Sequence, residues 1–270
     1  MMEENRTTRI NVIAVVRESC AVILRHWRAC FALVWLPLVV LLAAGTILLV
    51  TGMQFTGRLW AAMGFQGAMY LLLVPAVTSW HRLILLGPGS RISYSFGHEE
   101  IAYIEVLIGV GVAVYMFMLL SGLMFAAPLI SGAAWAIGNS DGEWFYRLLA
   151  WMVSFFVVAR FLLVVPAAAL GGEMKTAVSS AILRRNVLRF TAAYFLALVI
   201  PQVLLWFVGD PSSWILRGLS GPTHRLPVFA SFYAGLVITV VFWMLSASVL
   251  SFVYKSMIPE RAGPPLPLAN

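Results

Sequence analysis

Long runs without charge alternate along the chain with short polar connections. A helix crosses roughly 30 Å of hydrocarbon with about 20 residues, and six runs reach that length. They are 29–53, 59–80, 106–135, 148–170, 190–209 and 228–254; the second continues to Leu86 if His81 and Arg82 lie at the interface, and Arg160 interrupts the fourth. The period-2 alternation of barrel strands is absent. The pattern therefore predicts an all-α integral membrane protein with six transmembrane helices.

Residues 10–28, before the first run, have the pattern of an amphipathic helix. At 100° per residue, polar side chains fall on one side and Val12, Val15, Val22, Ile23 and Trp27 on the other. This pattern predicts an interfacial helix that anchors to anionic lipid heads or docks a partner. We therefore divide the chain into a cytoplasmic amphipathic segment at 1–28, a six-span transmembrane domain at 29–254 and a flexible Pro-rich cytoplasmic tail at 255–270.

The composition supports a membrane protein. Hydrophobic residues make up 61% of the 270 residues, charged residues make up 11%, and the mean hydropathy is +0.92. Soluble domains have roughly 45–50% apolar and about 25% charged residues. The composition therefore excludes a soluble globular domain. The net charge is +7, and because the basic residues lie near the ends of the spans, we interpret them as determinants of membrane orientation and not as a nucleic-acid-binding surface.

The basic residues are distributed unequally between the two predicted sides of the membrane. One side has thirteen: Arg6, Arg9, Arg17, Arg25, Arg28, Arg82, Arg91, Lys175, Arg184, Arg185, Arg189, Lys255 and Arg261. The other side has four: Arg58, Arg147, Arg217 and Arg225. Because cytoplasmic loops carry the excess of Lys and Arg, we expect both termini in the cytoplasm of a bacterium, with the chain in its inner membrane.

Two Arg-to-Pro intervals each occur twice in the chain and suggest an internal repeat. Arg82 and Arg160 each precede a proline by six residues, and Arg25 and Arg189 each precede one by twelve. Together with the basic segments between the runs, this spacing predicts three parallel two-helix hairpins, in contrast to the inverted repeats of many transporters.

This layout resembles that of uncharacterised six-helix bacterial inner-membrane proteins, akin to the membrane domain in front of some glycerophosphodiester phosphodiesterases. The resemblance is carried by the basic amino-terminal helix, by 160–166 with Ala167-Ala168-Ala169-Leu170-Gly171 after it, and by the basic stretch 181–189. It implies the six-helix fold. The chain lacks the catalytic domain of those fusions, so no hydrolase chemistry and no functional residue is carried over.

The search for catalytic chemistry finds no complete motif. The segment His98-Glu99-Glu100-Ile101-Ala102 lacks the second histidine of a metalloprotease helix. The serines within or near the spans, Ser251 among them, have no adjacent His or Lys at membrane depth that could act as a base. We therefore expect no enzyme, no catalytic residues, no metal site and no cofactor.

Arg160 is the residue whose position costs most, since insertion scales assign an arginine near mid-membrane about 2.5–3.5 kcal/mol. Three explanations stay open. The side chain snorkels to the cytoplasmic face; or it pairs with Glu105, which is placed to reach Arg160 or Arg82; or Arg82 and Arg160 form a cytoplasm-facing site for an anionic head group.

Two functions follow from these alternatives. The first is a non-enzymatic inner-membrane accessory, scaffold or assembly protein with a protein partner or a second copy of itself. The second is a binder or transporter of an anionic lipid or amphiphile that uses Arg82 and Arg160. Because no carboxylate lies at mid-membrane, cation-coupled transport is disfavoured.

Reporter fusions test the predicted topology. Fusions after Met53, Trp135 and Gly209 should report the outside, and fusions after Gly87, Gly172 and Tyr254 the cytoplasm. An outside signal at Gly172 would show that the segment around Arg160 does not cross the membrane.

Overall fold

The described residues form helices, and no β-strand occurs among them. The computed structural model describes residues 9–51, 58–87, 94–130, 156–172, 176–208 and 225–258. The helices are α1 (Val12–Arg25), α2 (Trp27–Thr51), α3 (Arg58–Leu86), α4 (His98–Ile130), α5 (Val164–Ala169), α6 (Thr176–Leu183), α7 (Val187–Val208) and α8 (Arg225–Met257).

Three of these helices contain segments long and apolar enough to cross a membrane. The segments are Trp27–Val50 in α2, Gly64–Leu86 in α3 and Phe229–Met257 in α8. Helices α4 and α7 cover much of the third and fifth apolar runs. The later part of the third run, the first part of the fourth and the tail from 259 lie outside the described residues.

The described part of the fourth run is not one continuous helix. Residues 160–163 form a turn with hydrogen bonds from Phe161 N–H to the Val158 carbonyl and from Val164 N–H to the Phe161 carbonyl. Pro166 follows in α5. Proline has no N–H and its ring clashes with the carbonyl four residues earlier, so an α-helix running unbroken through this point is disfavoured. The sequence analysis treated the same segment as an interrupted but complete span.

Helix α8 lies at the centre of the described bundle. It packs against α1, α2, α3, α5 and α7, while α4 packs against α3 and α5. Two hydrogen bonds to neighbouring helices fix its rotation. Trp80 Nε1 of α3 donates to Ser248 Oγ over 2.9 Å in a buried contact, and the Tyr194 hydroxyl of α7 lies 2.6 Å from Ser246 Oγ in a part-buried one. Polar side chains between helices replace the hydrophobic force that lipid does not supply.

Helix α1 packs against protein with its apolar face. Asn11 caps the helix by accepting a hydrogen bond from Ala14 N–H, and Val15 and Val22 are buried. The helix contacts α7 and α8, so the side predicted to rest on lipid is largely covered by these two helices. Ser19 is buried on the same face, and its hydroxyl has no hydrogen-bond partner in the described structure; its small size lets the helices approach closely.

A glycine allows α2 and α8 to meet. A Cβ atom built on Gly45 would overlap the ring of Phe232, which is fully buried and packs in a tilted arrangement against Phe65, with 5.6 Å between ring centroids. On the next residue, Thr46 Oγ1 lies 2.9 Å from the Tyr233 hydroxyl. The contact between the two helices therefore depends on the absence of a side chain at position 45.

We expect Gly45→Ala to destabilise the protein by about 1–3 kcal/mol, because an overpacked core must shift. Gly67→Ala in α3 is the matched control, since its Cβ would meet nothing within 4 Å; it should be neutral or gain up to about 1 kcal/mol from helix propensity. Melting temperatures in one detergent compare the two variants. Equal effects would show that Gly45 is not needed for packing.

Candidate functional site

Four helices contribute to a cluster of polar side chains at one end of the described bundle. We call this cluster the polar junction; it consists of Thr78, His81 and Arg82 of α3, Glu99, Glu100 and Tyr103 of α4, Ser251 of α8 and the carbonyl of Ala169 at the end of α5. These groups come from segments separated by up to about 170 residues.

Arg82 and Glu100 form the core of the polar junction. Arg82 Nη2 lies 3.0 Å from Glu100 Oε1 and also pairs with Glu99. The Glu100 side chain is 3% exposed and that of Arg82 is 15% exposed. Glu100 also accepts hydrogen bonds from the Thr78 hydroxyl (3.1 Å) and from Gly97 N–H (2.8 Å). The nearly buried carboxylate is thus surrounded by three donors, as a buried charge requires.

The end of α5 supplies the remaining acceptor for Arg82. Gly171 has φ +72°, a left-handed conformation that glycine adopts without strain, and its N–H and that of Gly172 bond back to the carbonyls of Ala168 and Ala167. The next carbonyl, that of Ala169, accepts a 2.8 Å hydrogen bond from Arg82 Nε. A cation at the carboxyl end of a helix also complements its dipole.

His81 and Ser251 form a buried pair in the polar junction. His81 Nδ1 lies 2.6 Å from Ser251 Oγ, and Nε2 lies 3.3 Å from the Tyr103 hydroxyl. The sequence analysis found no base for Ser251, whereas the packing of α3 against α8 buries His81 fully beside this serine. The pair lacks a carboxylate on the histidine, and each ring nitrogen has a hydroxyl partner.

Tyr94 links the segment before α4 to α3. Its hydroxyl donates to the Leu72 carbonyl over 2.7 Å. Burial raises the pKa of the Tyr94 phenol above its ordinary value, so the side chain remains a neutral donor at physiological pH.

The structure does not bring the three predicted site residues together. Arg82 contacts Glu99, Glu100 and the Ala169 carbonyl, whereas the Arg160 guanidinium lies over the Phe156 ring, 5.8 Å from its centroid. Glu105 is exposed, and no ion pair among the described residues joins it to either arginine. At 100° per residue, Glu105 points about 140° away from Glu100 around α4, which explains why Glu100 and not Glu105 reaches Arg82.

Glu99 and Glu100 are the site residues that the sequence analysis missed. Both follow Gly97 in the first turn of α4, and acidic residues are favoured at that end of a helix. This signal was present in the sequence. It was not used because the pair was tested only as part of a metal motif.

The described residues contain no group of three or more His, Cys, Asp or Glu side chains that could hold a metal ion. An apolar cavity of about 380 Å³ opens beside α4, lined by residues that include Val110, Val158 and Phe161, and a smaller one of about 140 Å³ reaches Tyr103 and Leu250. Neither cavity is lined by His81 or Ser251.

The chain matches no protein-family model and shows no significant similarity to curated proteins or to solved structures. The resemblance to six-helix inner-membrane proteins therefore stays a prediction, and functional argument has to come from the geometry of the chain itself.

Substitutions of Glu100 and Glu99, two carboxylates that differ in burial, test the role of the polar junction. Glu100→Gln removes the charge that faces nearly buried Arg82 and should destabilise the protein by about 3 kcal/mol. Glu99→Gln makes the same chemical change on a side chain that is 45% exposed and should cost under about 1 kcal/mol.

Unfolding in detergent, followed by helical circular dichroism, measures both changes. The double variant Arg82→Leu with Glu100→Leu should recover much of the loss, because no buried charge is left without a partner; Glu99, which loses Arg82, is 45% exposed and can be solvated. Equal losses in the two single variants would contradict the assignment of Glu100 as the main partner of Arg82.

Proposed function

We propose that the protein is a non-enzymatic accessory, scaffold or assembly protein of the bacterial inner membrane, with six transmembrane helices in three parallel hairpins and both termini in the cytoplasm. The observation that carries this proposal is the polar junction. Its charged and polar side chains pair with one another, and these contacts join α3, α4, α5 and α8 into one unit.

The mutual pairing of these groups favours a structural role over catalysis. A nucleophile and its base must reach a substrate, whereas Ser251 and His81 are fully buried and line neither of the apolar cavities beside them. A transport path likewise needs polar groups that can exchange partners. The Arg82 and Glu100 pair is held by additional bonds from Thr78 and Gly97.

The outward face of α2 is the proposed place for a partner. Its membrane segment is less covered by the rest of the protein than those of α3 and α8. The exposed side chains include Phe31, Trp35, Val39 and Ile47, and the first three are spaced by four residues, as on one helical ridge. Trp and Phe provide large contact areas.

The second candidate is the binding of an anionic lipid or amphiphile through Arg82 and Arg160. Arg160 favours it, because this residue is exposed and has no carboxylate partner among the described residues. Arg82 weakens it, because its guanidinium already has two carboxylates and a carbonyl as partners. In this form of the hypothesis, Arg160 would have to provide most of the binding.

Native mass spectrometry of the protein extracted from its own membranes separates the two candidates. The accessory role predicts a stoichiometric protein partner that persists in Arg160→Leu and is reduced in Trp35→Ala. The second candidate predicts a retained anionic lipid that Arg160→Leu loses and Arg160→Lys partly keeps, since an ammonium cannot form bidentate contacts. A bare wild-type protein without any partner would contradict the accessory role.

A further inference from the structure

Three arginines from two distant parts of the sequence, one near the amino terminus and two around residue 187, converge on one cavity. The cavity has a volume of about 350 Å³ and is lined by Arg9, Arg185, Asn186 and Arg189; we call it the arginine cavity. Arg9 lies before α1, Arg185 and Asn186 form part of the turn between α6 and α7, and Arg189 lies in the first turn of α7.

The cavity is built by tertiary contacts. Asn186 is 3% exposed, and its Oδ1 accepts a 3.2 Å hydrogen bond from Ile10 N–H, 176 residues away. Its Nδ2 lies 3.8 Å from Met257 Sδ at the end of α8, and Arg189 Nη1 lies 3.5 Å from the Ile10 carbonyl. These contacts hold Arg9 beside the other two arginines, which a flexible basic tail would not do.

The charges of the arginine cavity are not balanced within the described part of the chain. Arg17 and Arg25 of α1 share Glu18, and Arg82 has Glu99 and Glu100. In contrast, no ion pair to Arg9, Arg185 or Arg189 occurs among the described residues, and no carboxylate lines the cavity. Like charges held together repel, so the site favours an anion from outside the chain.

Two further features specify the anion. Guanidinium groups bind phosphate oxygens in bidentate geometry, and α7 begins at Val187, directly after Asn186, so its positive dipole end adds to the field of the cavity. Two apolar residues close in sequence to these arginines, Leu188 and Ile13, are 72% and 76% exposed. That combination of a basic cavity and an uncovered apolar surface is typical of a site at head-group depth.

We propose that the arginine cavity binds a phosphate group through Arg9, Arg185 and Arg189. The phosphate belongs either to an anionic lipid head group or to a soluble phosphate. This site is separate from the Arg82 and Arg160 hypothesis, and it does not depend on the accessory role, because an accessory protein and a transporter could both use it.

Lipid titration of the full-length protein in detergent, read by native mass spectrometry, tests the proposal. Wild type should bind phosphatidylglycerol in preference to phosphatidylcholine, whose head group has no net charge. Arg185→Ala and Arg189→Ala should each weaken phosphatidylglycerol binding at least about tenfold, which corresponds to the loss of one charged hydrogen-bonded contact. Arg185→Lys should restore part of the affinity.

Arg184→Ala is the matched control, because Arg184 is an exposed residue of the same turn that does not line the cavity. It should change binding less than about twofold if contacts at short range decide the affinity. Because Arg185 is exposed, its replacement should leave the melting temperature unchanged, and this measurement separates lost binding from lost folding.

Inorganic phosphate forms the second arm of the experiment. If millimolar phosphate displaces phosphatidylglycerol from wild type but has no effect on Arg185→Ala, the cavity is a phosphate site open to soluble ligands. If phosphate does not compete and the arginine variants still lose the lipid, the site is specific for a lipid head group. Both results support the proposal. Equal binding of the two lipids, or an equal loss in Arg184→Ala, would overturn it.

Discussion

The described structure depends on the cost of placing a charge where water is scarce. Arg82 lies within a helix segment apolar enough to cross a membrane, and an unpaired guanidinium there is expensive. The structure offsets this cost with one nearly buried carboxylate, one partly exposed carboxylate and one helix-end carbonyl. Each partner comes from outside α3, so satisfying one side chain fixes the positions of α4 and α5 around it.

Much of the helical organisation could be predicted from the sequence. The expected runs at 29–53 and 59–86 correspond to α2 and α3, and α8 extends the last run by a few residues at both ends. The length of an uncharged run is a local property of the sequence, so each such helix can be predicted without knowing which helices it packs against. The turn at 160–163 was harder to foresee because the apolar run continues through it. Pro166 alone is not a sufficient local signal for this turn, because Pro37, Pro75 and Pro201 lie inside continuous helices.

The candidate site was less predictable, for a physical reason. The choice between Glu100 and Glu105 as a partner of Arg82 depends on the rotation of α4 about its axis, which is set by packing against α3 and α5. His81 and Ser251 are 170 residues apart, and no periodicity records that α3 and α8 are neighbours. The sequence analysis named Arg160 as the costly residue and placed Arg82 at the interface; tertiary packing determined that Glu99, Glu100 and the Ala169 carbonyl pair with Arg82.

The packing of α1 has a consequence for biosynthesis. Among the described helices α1 is synthesised before the others, yet it contacts α7 and α8, which follow all the rest. During elongation α1 therefore has only α2 among its final helix neighbours, and its contacts with α7 and α8 form after those helices have been synthesised. Domains usually fold in order from the amino terminus; here the two ends of the bundle close on each other, and the insertion of the last helix is the step that completes the first.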